Sequence, residues 1–278
     1  MNRPDNVGCK SAWLSHNSRN IRLFLAVFLL SILGGACRKA ASEADVRGAA
    51  RPASEAIAEA DHLYAGRADL TKVRQGLVAL RQAQADDSTN YDLAWRLAKF
   101  NYYLGAHSSE SSEKEKYFHD GITAGKLAIQ LQDGKPDGHF WLGANYGGNA
   151  KLSVLAGLSD FEDIKQEMET VIKLDEGYQS GSAYMALGQL YLEAPRMLGG
   201  DSQKAVEYLE KGVRLGPTNA LLRWQLAAAY AELHRSYDAR KQIDYLLAMK
   251  PAPGYEPEYQ EAVAEVRKLQ EKLKQENR

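Results

Sequence analysis

Beyond about residue 53 the apolar positions recur at helical spacing, and no stretch alternates apolar and polar residues as a half-buried strand would. Val73, Leu77 and Leu80 fall on one helix face, and Leu93, Leu97 and Phe100 on the next. The pattern predicts a helix from Ser54 to about Arg67 and a second from Asp69 to Ala85, with Asp69 as N-cap. A second pair begins near Asn90, breaks at the polar stretch His107–Ser112, and resumes from about Glu113 to Gln132. The third pair has Trp141, Leu142, Gly143 and Tyr146 on its first helix and runs from about Asp160 to Leu174 in its second. Two more pairs occupy Gly181 to Pro251. A last segment, Glu256 to Gln275, shows Tyr259, Val263, Val266, Leu269 and Leu273 on one face.

The pairs are copies of one pattern. Gly188-Gln189-Leu190-Tyr191 aligns with Ala227-Ala228-Ala229-Tyr230, a small residue followed three positions on by tyrosine. Downstream, Ala205, Leu209, Gly212 and Pro217 match Ala239, Ile243, Leu246 and Pro251, with the two prolines 34 residues apart. A 34-residue helical hairpin of this kind is the tetratricopeptide (TPR) signature. Small residues let the two helices approach, large ones fill the gap, and proline stops the second helix. The helix ending also repeats, as Ala128-Ile129-Gln130-Leu131, Val171-Ile172-Lys173-Leu174 and Gly212-Val213-Arg214-Leu215, which supports at least five hairpins. One hairpin cannot bury its apolar face alone, so hairpins stack, and the last face needs a cap. The expected fold is all-α: a TPR-like helical-hairpin solenoid over residues 53–278, with lengthened hairpins and a C-terminal capping helix. Gly143 to Ile164 is about nine residues too long for a standard hairpin and Gly188 to Ala205 about five. The second surplus is Ala194-Pro195-Arg196-Met197-Leu198-Gly199-Gly200-Asp201, where Pro195 would end a helix, both glycines permit positive φ, and Asp201 would cap the next helix.

Residues 1–36 read as a targeting segment. Arg19 and Arg22 precede the apolar run Leu23–Leu33, and Gly34-Gly35-Ala36 precede Cys37. That is the layout of a secretory signal peptide, too short for a standard membrane-spanning helix. Small residues directly before a cysteine resemble the bacterial lipobox, although Gly34 stands where that pattern prefers leucine. The resemblance implies a diacylated Cys37 at a new N-terminus, two acyl chains being enough for stable attachment. Arg38 in the next position implies an outer-membrane lipoprotein facing the periplasm. An ordinary signal peptide or an uncleaved anchor are the alternatives. Residues 37–52 are polar and alanine-rich and read as a flexible tether.

Composition adds exclusions. Loss of residues 1–36 would remove Cys9, four basic residues and one acidic residue, leaving acidic side chains in excess by about four. Nothing in that balance favours nucleic acid. A single cysteine gives no disulfide framework and no zinc pattern. The six histidines (His16, His62, His107, His119, His139, His234) show no HxxxH or HExxH spacing. Gly147-Gly148 and Gly199-Gly200 are not followed by Lys-Ser/Thr, and the serines of residues 108–112 lack a GxSxG frame. No enzyme, metal or cofactor is expected.

A binding surface is the better expectation. In a TPR hairpin, first-helix side chains that point away from the second helix line a concave groove. Taking Gly188 and Ala227 as equivalent gives Ser182, Met185, Gln189 and Leu192, then Leu221, Trp224, Ala228 and Ala231. The same frame gives Asp92, Trp95, Lys99 and Tyr102, then Phe140, Ala144 and Gly147. One slot recurs as aromatic or methionine: Trp95, Phe140, Met185, Trp224. Such a stripe is either core or an exposed site for an apolar ligand or partner segment. Trp95, Lys99, Tyr102, Phe140, Asn145, Met185, Gln189 and Trp224 are the candidate groove residues. With one lysine and no arginine, the set argues against a basic clamp for acidic peptides.

Trp141-Leu142-Gly143-Ala144-Asn145-Tyr146-Gly147, Ile172–Tyr178, Gly181–Gly188 and above all Ala194–Asp201 with Ala205 resemble the T-component lipoproteins (TatT) of TRAP transporters, over roughly Tyr91 to Met249. That resemblance implies an outer-membrane-anchored TPR-like protein that associates with a periplasmic substrate-binding protein and assists uptake of a small organic or apolar ligand. The alternative expectation is a general cell-envelope assembly scaffold with no ligand.

Overall fold

The computed structural model describes residues 51–152 and 154–275. Residues 1–36, Cys37 and nearly all of the tether lie outside the described residues. The described chain forms α1 (Ala53–Ala65), α2 (Leu70–Asp86), α3 (Tyr91–His107), α4 (Ser111–Leu131), α5 (Pro136–Ala150), α6 (Val154–Leu174), α7 (Tyr178–Glu193), α8 (Ser202–Leu215), α9 (Ala220–Glu232), α10 (Ser236–Ala248) and α11 (Glu256–Gln275), with a 3-10 turn at Arg196–Leu198. No strand occurs among the described residues. Consecutive helices pack as five hairpins, α1/α2 to α9/α10, and α11 follows. The fold is the all-α TPR-like solenoid that the repeats predict.

Local chemistry sets the ends. Asp69 Oδ1 accepts from the Thr71 N–H at 2.9 Å, and Asn90 Oδ1 from the Asp92 and Leu93 N–H groups at 3.0 and 3.2 Å. Each satisfies donors that the first helical turn leaves open. α6 starts at Val154 rather than near Asp160, so the surplus of the third hairpin lengthens a helix instead of a turn. α7 opens on three left-handed residues, Gln179 (φ 45°), Ser180 (φ 57°) and Gly181 (φ 79°), before regular helix begins.

The Ala194–Asp201 turn is built as the sequence suggests, with one difference. Pro195 follows the end of α7, and Gly199 sits at φ 98°. Gly200 does not need positive φ. It is there because a Cβ would lie 1.8 Å from the Ala194 carbonyl oxygen. Asp201 closes the turn: its N–H donates to Tyr191 O (2.8 Å), and its carboxylate accepts from Gln203 N and Lys204 N (3.0 and 3.1 Å). Asp201→Ala is expected to cost about 1 kcal/mol of stability, read as a lower thermal midpoint. An unchanged midpoint would mean the cap contributes nothing.

The core runs along the solenoid. Phe100, Leu80, Leu93, Leu104, Met168, Leu187, Leu209, Leu226, Ile243 and Leu246 are among the side chains wholly removed from water. Burial of each is worth about 1.5–3 kcal/mol. Within the third hairpin, His139 Nδ1 lies 2.6 Å from Glu167 Oε2, and its Nε2 lies 2.8 Å from Asp133 O in the turn before α5. Both neighbours are acceptors, so only the imidazolium can donate from both nitrogens. The Glu167 hydrogen bond raises the His139 pKa above the ordinary histidine value, against the opposing effect of burial. A raised folded-state pKa contributes stability that is full below the unfolded value and lost as pH rises through the folded one. Stability is therefore expected to fall as pH rises past neutrality. In His139→Gln that component of the pH dependence should vanish, as denaturant midpoints across the pH range would reveal.

The last helix does more than cap. α9 packs more on α8 than on α7, as a solenoid requires, whereas α11 packs more on α9 than on α10. It is turned toward the first helices of the hairpins, which line the concave side. Ala262, Val263, Val266 and Leu273 share one buried cluster with Leu222, Leu226 and Tyr230 of α9.

Candidate functional site on the concave face

The first helices of hairpins 1 to 3 bring together a basic and aromatic cluster. Lys99, on α3, sets its Nζ 3.8 Å from the centroid of the Tyr64 ring on α1 and 6.0 Å from the Trp141 ring on α5. Tyr102, one turn along α3, meets the same indole at 5.7 Å. Tyr64 leans on Phe100 (5.1 Å) and Tyr103 (5.5 Å), which fixes its plane. On the other side of the cluster, the Arg67 guanidinium carbon lies 5.2 Å from the Tyr64 centroid. Two cations thus share one aromatic ring, an arrangement worth about 0.5–2 kcal/mol per contact.

Burial pushes the Lys99 amine down to about 8, helped by the nearby Arg96 and Arg67 charges and opposed by Asp61 and Glu258. Arg96 is itself committed to Asp61, with Nε at 3.1 Å and Nη2 at 3.0 Å from its carboxylate. Lys99 makes no such pair among the described residues. The Trp141 Nε1–H is buried and meets no acceptor. Burial also raises the Tyr64 and Tyr102 hydroxyls, keeping both neutral.

The other groove candidates separate by place. Trp95 is half-buried, donates from Nε1 to Asp92 Oδ1 (3.1 Å) and carries the Arg96 guanidinium on its ring at 4.1 Å. Phe140 is a core residue, packed against Trp141 at 5.0 Å and Tyr178 at 5.2 Å. Of the two alternatives for this slot, Phe140 takes the core one, packed toward the next hairpin. Asn145 is likewise internal, with 0 % exposure; its Nδ2 donates to Ala98 O (3.0 Å) and Trp141 O (2.6 Å). Both are buried, as is Trp141. Met185 and Trp224 are partly buried against the cluster to which α11 also contributes. Gln189 is half-exposed and donates to Glu193 Oε1 (2.9 Å).

Tyr64, Arg67 and Trp141 belong to this cluster but not to the set that the repeat frame gives. Arg67 brings an arginine into the cluster, already paired within the chain. Its Nε and Nη2 donate to Glu258 Oε1 and Oε2 on α11 at 2.8 and 2.5 Å, and Nη2 donates to Gly254 O at 2.6 Å. Among the described residues no group of three His, Cys, Asp or Glu side chains could hold a metal, and no helix is long and apolar enough to cross a membrane.

A family model described as regulator of microtubule dynamics protein 1-3 matches residues 56–197, from α1 to the 3-10 turn, and so contains Tyr64, Arg67, Lys99, Tyr102 and Trp141. Among solved structures, TTC0263, a thermophilic TPR protein of Thermus thermophilus, is 18% identical over 77% of this chain and 98% of its own, with a TM-score of 0.59. PilF of Pseudomonas aeruginosa is 17% identical over 78% of this chain and 90% of its own, with a TM-score of 0.51. At such identities the likeness is one of fold. Comparison with curated protein sequences gives no match.

Proposed function

The chain belongs to the regulator of microtubule dynamics protein 1-3 family, and from that premise we propose that it is a protein-interaction scaffold whose concave face receives a partner. The observation that carries this reading is the Tyr64–Lys99–Trp141 cluster: a desolvated amine without a carboxylate partner and a buried indole donor without an acceptor, on the face that a solenoid offers to ligands. Unmet donors walled by aromatic rings suit an acceptor-bearing segment. The N-terminal segment would place this face at a membrane through Cys37, in the periplasm of an outer-membrane lipoprotein.

A second reading is the TRAP-transporter accessory, with a substrate-binding protein as partner and a small organic ligand in the groove. The Pro195–Asp201 turn favours it. One experiment addresses both. The intact protein is affinity-purified from gently solubilised membranes beside Lys99→Glu, and co-purifying proteins are identified by mass spectrometry. A partner held by the native chain and lost from Lys99→Glu supports the concave-face reading. A substrate-binding protein as that partner supports the transporter accessory, and envelope-assembly proteins the scaffold alone. A partner retained equally by Lys99→Glu overturns the concave-face reading. Cys37→Ser should leave the membrane fraction, and a variant that stays in the pellet would mean an uncleaved anchor.

A further inference from the structure

The contact that α11 makes with the first hairpin defines what this end of the concave face recognises. Arg67 and Glu258 lie 191 positions apart in sequence. The guanidinium is 5 % exposed and its carboxylate partner 22 %. It is satisfied in three ways: a two-point carboxylate contact, the Gly254 carbonyl, and two aromatic rings, Tyr64 at 5.2 Å and Tyr255 at 6.0 Å. That combination reads a helix start that bears a carboxylate, with a tyrosine one turn earlier. The fork geometry of arginine gives such a site its specificity.

Two observations show that α11 is an incomplete occupant. The first is where its own anchorage lies. Ala262, Val263, Val266 and Leu273 hold the later part of the helix on α9, whereas Gly254 and Tyr255 are exposed, Tyr255 by 55 %. The helix start can leave hairpin 1 without uncovering the last hairpin. The second is what it leaves unmet. Tyr64 carries Lys99 as well as Arg67, yet only Arg67 is given a carboxylate.

We propose that Arg67, Tyr64 and Lys99 form a docking surface for an acidic helix start of a partner protein, one that carries two carboxylates and an aromatic ring, and that residues 254–258 occupy it in cis until such a partner arrives. This rests on the reading of the concave face as the binding surface. The internal segment holds the site through high effective concentration rather than full complementarity. A partner that also neutralises Lys99 displaces it.

The test is arginine modification by phenylglyoxal, with Arg67 followed by mass spectrometry against exposed Arg240 in the full chain. In the native protein Arg67 should react far more slowly than Arg240, and faster in about 1 M salt, where ion pairs are screened. Glu258→Gln, checked for fold by circular dichroism, should raise Arg67 reactivity several-fold. A millimolar decapeptide of residues 252–261 added to that variant should restore protection, and the same peptide with Glu258→Gln and Glu261→Gln should not. Protection by the peptide should weaken in a Glu258→Gln/Lys99→Met double variant. The proposal is overturned if Arg67 stays protected in Glu258→Gln and in high salt, if the peptide has no effect, or if the amide peptide protects equally. Should the peptide fail while Lys99→Glu still loses its partner, the concave-face reading stands and this docking surface falls alone.

Discussion

Gly121→Ala is expected to remove about 4 kcal/mol of stability, from overpacking together with two strained or broken buried hydrogen bonds. α4 passes so close to α5 that a Cβ at position 121 would lie 2.0 Å from Asn145 Oδ1 and 2.4 Å from Cγ. Asn145 has nowhere to go. It is fully buried, and its Nδ2 joins Ala98 O of α3 to Trp141 O of its own helix. One added methyl group therefore strains a junction between three helices. For a chain of this size the loss corresponds to a midpoint lowered by roughly 10 °C. Asn145→Ala in the same background should return part of it, because removing the amide also removes the clash. A double-mutant cycle by urea denaturation would show a coupling above about 1 kcal/mol. Additive effects would mean that the two residues do not meet.

Phe100→Ala is expected to cost about 3–5 kcal/mol through the cavity left behind. The ring is wholly buried between the first two hairpins and supports Tyr64 at a centroid distance of 5.1 Å. The consequence reaches the concave face, since Tyr64 is the ring that Lys99 and Arg67 share. Because a solenoid unfolds by neighbouring units, the loss should concentrate in α1 to α3. Hydrogen exchange should show those helices losing protection while α8 to α10 keep theirs. Uniform loss along the chain would mean that the hairpins unfold as one cooperative body. Phe100→Leu, which retains most of the volume, should cost far less.

What could be read from the sequence was whatever depends on neighbours along the chain. Helix pairs, the Asp69 cap and the Pro195–Asp201 turn follow from spacing and from the chemistry of single residues. Lys99 and Tyr102 followed from the repeat frame because one helix carries both. Trp141 did not, because the frame assigned the outward slot to Phe140, and one residue of rotation is about 100° on a helix. Both rings are buried; Phe140 packs toward Tyr178, and Trp141 toward Tyr102 and Lys99. The Arg67–Glu258 pair could not be read at all. Its partners meet only through the summed rotation of five hairpins, and no single repeat encodes that sum. The same holds for α11, whose apolar stripe predicts that it covers something but not that it turns toward the concave side.

That pair also makes the two ends of the solenoid into a ring closed at one point. In an open solenoid a small change of angle between two hairpins is felt only by their neighbours. Here each junction is a lever whose far arm ends at Arg67 or at Glu258, so a rotation too small to disturb local packing is magnified into a displacement at the closure. Substitutions at any hairpin junction, wherever they lie, should therefore register in the reactivity of one arginine.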